Sequence, residues 1–79
     1  MKKITLVGAI WCSSCLTMKR IIKSFDDVEV DYLDIDEDNE RINELGITDD
    51  SIIPIIIYGD KRLVGEHNID EIEVFLNEE

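Results

Sequence analysis

From Ile4 to Phe25 the chain runs ITLVGAIWCSSCLTMKRIIKSF, and the reading of this stretch decides the fold. Ile4-Thr5-Leu6-Val7 is short, rich in β-branched residues and followed by Gly8, the pattern of a buried strand. Beyond it, Met18, Ile21, Ile22 and Phe25 recur at the i, i+3, i+4, i+7 spacing of an amphipathic helix, with Lys19, Arg20 and Lys23 on the opposite side. The chain's only two cysteines, Cys12 and Cys15, therefore fall in the joint between a strand and a helix.

Working outward, Val28, Val30 and Tyr32, continuing toward Leu33 and Ile35, alternate with acids as a second strand. Asp36 or Asp38 can cap a helix that uses Ile42 and Leu45 and stops at Gly46. Ile52-Ile53-Pro54-Ile55-Ile56-Ile57-Tyr58 reads as a strongly apolar strand, turned by Gly59-Asp60 into a short strand over Arg62 to Val64. Asn68 then caps a last helix, with Glu71 as capping-box partner and Ile69, Ile72, Phe75 and Leu76 as its apolar stripe. The order βαβαββα predicts an α/β fold, a mixed four-stranded sheet with helices on both faces.

Composition sets the limits. Seventy-nine residues, 44% apolar and 34% charged, predict one small globular domain over residues 1–79. The net charge of −11, concentrated between Asp26 and Asp50 where Arg41 is the sole base, argues against nucleic acid or anionic lipid as partners. No apolar run approaches the roughly 20 residues of a membrane span. Met1-Lys2-Lys3 followed by an apolar segment and Cys12 imitates a signal peptide. Bulky Trp11 stands where a cleavage site prefers a small residue, however, and cleavage would delete the first strand, so a soluble cytoplasmic protein is expected.

The chemistry sits in Trp11-Cys12-Ser13-Ser14-Cys15. With Cys12 at a helix N-terminus, unpaired backbone N–H groups and the positive end of the helix dipole stabilise its thiolate, while Cys15 follows one turn later. Cys12 would attack an exposed disulfide to form a mixed disulfide, and Cys15 would attack the Cys12 sulfur to release the reduced target. A structural zinc site needs four ligands, against one cysteine pair and the single distant His67. A structural disulfide closing so short a loop would stabilise little. Asp34, Asp36 and Asp38 begin like a calcium loop, but Asn39 and Leu45 stand where that loop needs glycine and glutamate. His67 precedes the last helix with nothing to bring it beside Cys12, so a turn position is expected for it, as a solvated helix face is for Lys19, Arg20 and Lys23.

In these motifs and in the order of its elements the sequence resembles the thioredoxin and glutaredoxin superfamily over nearly its whole length. Trp11-Cys12-x-x-Cys15 is similar to the thioredoxin active-site motif, and Ile53-Pro54 falls where the family keeps its cis-proline. The resemblance implies a thioredoxin-like fold in which Pro54 packs beside the cysteines and the Ile53 backbone pairs with an extended substrate. It implies the Gly65 turn as a further substrate-contacting position, and Trp11, an aromatic next to the nucleophile with a large apolar area and an indole donor, is expected to contact a substrate protein as well. No bound cofactor is implied. Electrons would come from NADPH through a flavin-dependent, thioredoxin-type reductase, or from glutathione. Targets would be disulfide-containing proteins such as a ribonucleotide reductase, and a monomer is expected.

Departures narrow the reading. Ser13-Ser14 matches neither the Gly-Pro of typical thioredoxins nor the Pro-Tyr of typical glutaredoxins. Leu6 stands where thioredoxins bury an aspartate, so proton transfer at Cys15 needs water or another group. Gly65-Glu66-His67-Asn68 replaces the glycine pair of glutaredoxins and puts an acid where glutathione's carboxylate would bind. The first reading is thus a thioredoxin-like electron donor that reduces protein disulfides. A glutathione-dependent glutaredoxin is the second, and a non-catalytic binding module that uses the Ile53-Pro54 groove is the third.

Overall fold

The computed structural model describes residues 2–47 and 52–77. Within them β1 (Lys2–Gly8), α1 (Ser13–Lys23), β2 (Val28–Asp34), α2 (Asn39–Glu44), β3 (Ile55–Tyr58), β4 (Lys61–Val64) and α3 (Ile69–Asn77) follow in order. The strands form one mixed sheet, β2-β1-β3-β4, with β1 and β2 parallel and the other two pairs antiparallel. This is the βαβαββα order and mixed sheet that the sequence predicts.

Central β1 is buried on both faces because alternate residues serve different layers. Ile4 and Leu6, with Ile56 of β3, meet Met18 and Ile22 of α1 and Ile72, Phe75 and Leu76 of α3. Val7, with Leu33 and Ile55, meets Ile42 of α2 and Ile47. The acid-rich β2 occupies one edge of the sheet and β4 the other.

Several boundaries differ from the sequence reading, each for a local reason. β1 starts at Lys2, because Lys2 pairs in register with Val28. β3 starts at Ile55 rather than Ile52: Pro54 has no N–H to give a ladder, and Ile52 lies 67% exposed. Asp38 holds the cap position of α2, but its carboxylate accepts the Asp34 N–H at 2.9 Å and makes no cap bond. Ile69, at the first position of α3, is exposed and leaves the apolar stripe to Ile72, Phe75 and Leu76. The capping box does form, with Glu71 N–H donating to Asn68 Oδ1 at 2.9 Å and Asn68 N–H to Glu71 Oε1 at 3.2 Å.

Gly59, at a φ of +61°, makes the tight turn between β3 and β4. The hairpin is tied to its surroundings by side chains: Lys61 Nζ donates to the Phe75 carbonyl at 2.8 Å, and the Arg62 guanidinium donates to the Leu45 carbonyl. His67 links the end of β4 to α3, since Nε2 faces the Val64 carbonyl at 2.8 Å and Nδ1 faces Glu71 Oε2 at 3.1 Å. Only the imidazolium can donate to both.

The Glu71 hydrogen bond, then that of the Val64 carbonyl, raises the His67 pKa above its ordinary 6.5, while Glu71 is held below the usual carboxylate value. A raised folded-state pKa contributes stability that is complete below the unfolded value and is lost as pH rises through the folded one. Urea unfolding of the wild type should therefore show a midpoint that falls as pH rises from 6 to 8, upward through the unfolded-state value of about 6.5. His67→Gln should remove most of that slope.

Candidate active site

Because α1 begins at Ser13, Cys12 is its N-cap, in extended backbone at φ −96° and ψ 113°. Its Sγ accepts the Cys15 N–H at 3.3 Å, doing with sulfur what a serine or aspartate oxygen does at other helix starts. The first turn of α1 holds no acid, so nothing on the helix opposes the positive end of its dipole. Cys12 is partly exposed and open to attack, whereas Cys15 is fully buried.

That difference separates the two thiols chemically. Burial, foremost, and then the hydrogen bond with the Cys12 side chain push the Cys15 thiol up to about 12. The charges of Cys12 and Asp34 act in the same direction, and a hydrogen bond with the Ala9 backbone acts against them. Space for Cys15 comes from Gly8. A methyl at position 8 would lie 2.9 Å from both Cβ and Sγ of Cys15 and 3.3 Å from the Tyr32 hydroxyl oxygen, closer than packed atoms allow.

The other expected positions gather at the same end of the sheet. The antiparallel pairing of Val7 with Ile55 sets Pro54 level with Gly8, beside the strand end that leads into the cysteines. The Ile53–Pro54 peptide bond is cis, and Pro54 is buried with its carbonyl accepting the Gly65 N–H at 2.8 Å. Gly65 takes a φ of +90°, which glycine adopts at little cost. Ile53 lies outside the strand, directly before Pro54. Trp11 is 66% exposed, yet its indole N–H donates to Asp36 Oδ2 at 2.9 Å, so a bond to the loop after β2 holds the ring beside Cys12.

Two residues at this end were not picked out from the sequence as neighbours of the cysteines. In the parallel register Tyr32 lies beside Leu6 and Asp34 beside Gly8, on the face that α1 covers. Asp34 is buried, with Oδ1 accepting the Asp36 N–H at 2.7 Å, and its charge acts on both Cys15 and Tyr32. Alternation alone marks both only as strand residues, and their nearness to Cys15 follows from the pairing of β2 with β1. Among the described residues no group of three or more His, Cys, Asp or Glu side chains could hold a metal ion.

Solved structures share this fold. The glutaredoxin from Archaeoglobus fulgidus superposes with a TM-score of 0.75 at 20% identity, over 99% of this chain and 89% of that one. Mitochondrial thioredoxin 3 from Saccharomyces cerevisiae gives 0.72 at 23% identity, over 95% of this chain and 76% of its own. The glutaredoxin-like protein NrdH-redoxin from Escherichia coli gives 0.70 at 22% identity, over 90% and 91%. The chain has the thioredoxin fold that these structures have in common. No family model and no curated protein matches its sequence.

Within this thioredoxin fold Leu6 is wholly buried and apolar, so of the two paired strands it is β2 that brings polar side chains, Tyr32 and Asp34, near Cys15. Two outcomes test the geometry. At pH 8 iodoacetamide should modify Cys12 and spare Cys15 in the dithiol protein, read by peptide mass spectrometry, since a thiol at about 12 is almost wholly protonated there. Gly8→Ala should lower the unfolding free energy by about 1–3 kcal/mol in urea titrations, the usual range for forcing volume into a packed site.

Proposed function

We propose that this protein is a small dithiol–disulfide oxidoreductase that reduces protein disulfides, with Cys12 as nucleophile and Cys15 as resolving thiol. The carrying observation is the contrast inside one helical turn between an accessible Cys12 sulfur at the helix cap and a buried, strongly protonated Cys15. An external disulfide reaches the first sulfur alone. The Cys12 thiolate attacks it, a mixed disulfide forms and one target sulfur leaves as a thiolate. Cys15 then loses its proton and attacks the Cys12 sulfur, which closes the intramolecular bond and frees the second target sulfur.

A binding surface for the target surrounds Cys12. Ile10, Trp11 and Leu16 are exposed apolar side chains next to it in the chain, and Ile52 is another just before Ile53 and Pro54. Aromatic and aliphatic groups of this kind anchor protein partners, and the Ile53 backbone would pair with an extended segment of the target. No resident cofactor is required by this scheme. Electrons would arrive from NADPH through a flavin-dependent thioredoxin-type reductase in a reducing, cytoplasmic setting, and a ribonucleotide reductase is one suitable target.

A glutathione-linked role is the second reading, favoured by the likeness in fold to the glutaredoxin from Archaeoglobus fulgidus. Glu66, exposed beside the Gly65 turn, disfavours it by opposing an incoming carboxylate. Rates of NADPH oxidation with oxidised protein and thioredoxin reductase, set beside glutathione with glutathione reductase, separate the two. We expect turnover with the first system. Cys12→Ser should abolish it, at least a thousandfold as expected for losing a covalent nucleophile, while Cys15→Ser should accumulate the mixed disulfide with the target. Normal turnover by Cys12→Ser would sink the proposal.

A further inference from the structure

The hydroxyl of Tyr32 is buried and has no hydrogen-bond partner among the described residues. Such a group is costly to bury, and structures normally satisfy it. The ring itself is well held, packed into the layer beneath α1 and α3 with Lys19 Nζ 4.5 Å from its centroid. Its oxygen and the Cys15 sulfur both crowd the one point where a side chain of Gly8 would begin, 3.3 Å and 2.9 Å from it. A polar atom without a partner thus lies over the same glycine as the sulfur that the proposed chemistry must charge.

That charge is a problem the rest of the site does not solve. When a thiolate reduces the Cys12–Cys15 disulfide by attacking the Cys12 sulfur, a new S–S bond forms there and the Cys12–Cys15 bond breaks. The electron pair stays on Cys15. Its sulfur is then a thiolate with no exposed surface for water to solvate. The groups that act on it are the Ala9 backbone, which favours the anion, and Asp34, whose negative charge opposes it, Cys12 being neutral once it is bonded in the mixed disulfide. Lys19 lies over the tyrosine ring. Burial and the charges of Cys15, Asp34 and Cys12 keep the phenol above its ordinary value, so it retains the proton it has to share.

We propose that Tyr32 donates a hydrogen bond to the Cys15 sulfur whenever that sulfur is anionic, as leaving group when the disulfide is reduced and as nucleophile when the mixed disulfide is resolved. Tyr32 keeps its own proton in both directions. In resolution the Cys15 proton passes to solvent, the Cys15 electron pair forms the bond to the Cys12 sulfur, and the departing target sulfur takes up a proton from solvent. This role rests on the dithiol–disulfide reading. It supplies from β2 a polar group at Cys15 that the apolar Leu6 of β1 cannot supply.

The test follows the reduction of oxidised protein by dithiothreitol, in a stopped-flow instrument and by Trp11 fluorescence, between pH 6 and 9. Two changes of opposite sense are compared with the wild type: Tyr32→Phe, and replacement of tyrosine by 3-fluorotyrosine in a Tyr58→Phe background, which leaves a phenol of nearly the same shape that donates more strongly. Tyr32→Phe should slow reduction about tenfold, the usual worth of a hydrogen bond to a charged group. It should also raise the pH at which Cys15 becomes alkylatable, while alkylation of Cys12 keeps its rate. The fluorinated protein should be reduced faster at pH 7, and it decides alone where Tyr32→Phe does not fold. Equal rates in all proteins would overturn the role of Tyr32 and leave the dithiol reading intact. That reading fails separately if Cys15→Ser traps no mixed disulfide.

Discussion

The active end of this protein depends on how closely the first turn of α1 can approach the end of β1. Gly8 sets that distance, because any side chain there would collide with Cys15. Its backbone is otherwise ordinary, with no positive φ, so the glycine serves to leave room rather than to turn the chain. Once the helix is seated, Cys12 falls at the cap and Cys15 beneath it, and the two like side chains acquire unlike surroundings. The inequality of the sulfurs is thus a packing result before it is an electrostatic one.

The same seating brings β2 into the site. Parallel pairing aligns Tyr32 and Asp34 with Leu6 and Gly8, so the second strand contributes a phenol and a carboxylate next to the cysteine that the first strand makes room for. Beyond its end, Asp36 fixes the Trp11 indole. The acidic stretch of the sequence, which by composition alone reads as a solvated surface, therefore has an organised end directed at the cysteines. Lys19 likewise does more than face solvent, since its ammonium lies over the Tyr32 ring.

What could be read from the sequence was local. The strand–cysteine–helix joint, the βαβ unit, the hairpin at Gly59 and the capping box of Asn68 and Glu71 all follow from spacings within one or two turns of chain, where residue type and position suffice. Less could be read wherever two donors or acceptors compete, as at Asp38, whose carboxylate goes to the Asp34 N–H instead of to its own helix. The start of β3 was misplaced because the apolar run at Ile52 continues past the point where Pro54 ends the ladder. Tyr32, Asp34 and the Trp11–Asp36 bond depend on strand register, which no single stretch of residues states.

The bond from Gly65 N–H to the Pro54 carbonyl joins the floor of the site to the turn that leaves β4. β4 is an outer strand, paired on one side only, and the opening of sheet edges generally needs less free energy than unfolding of the core. The position of Pro54 therefore inherits the durability of the edge and not that of the core beside it. Heat or denaturant that frays the hairpin would shift Pro54 while Cys12 still caps α1, so the two halves of this end would part before the fold is lost.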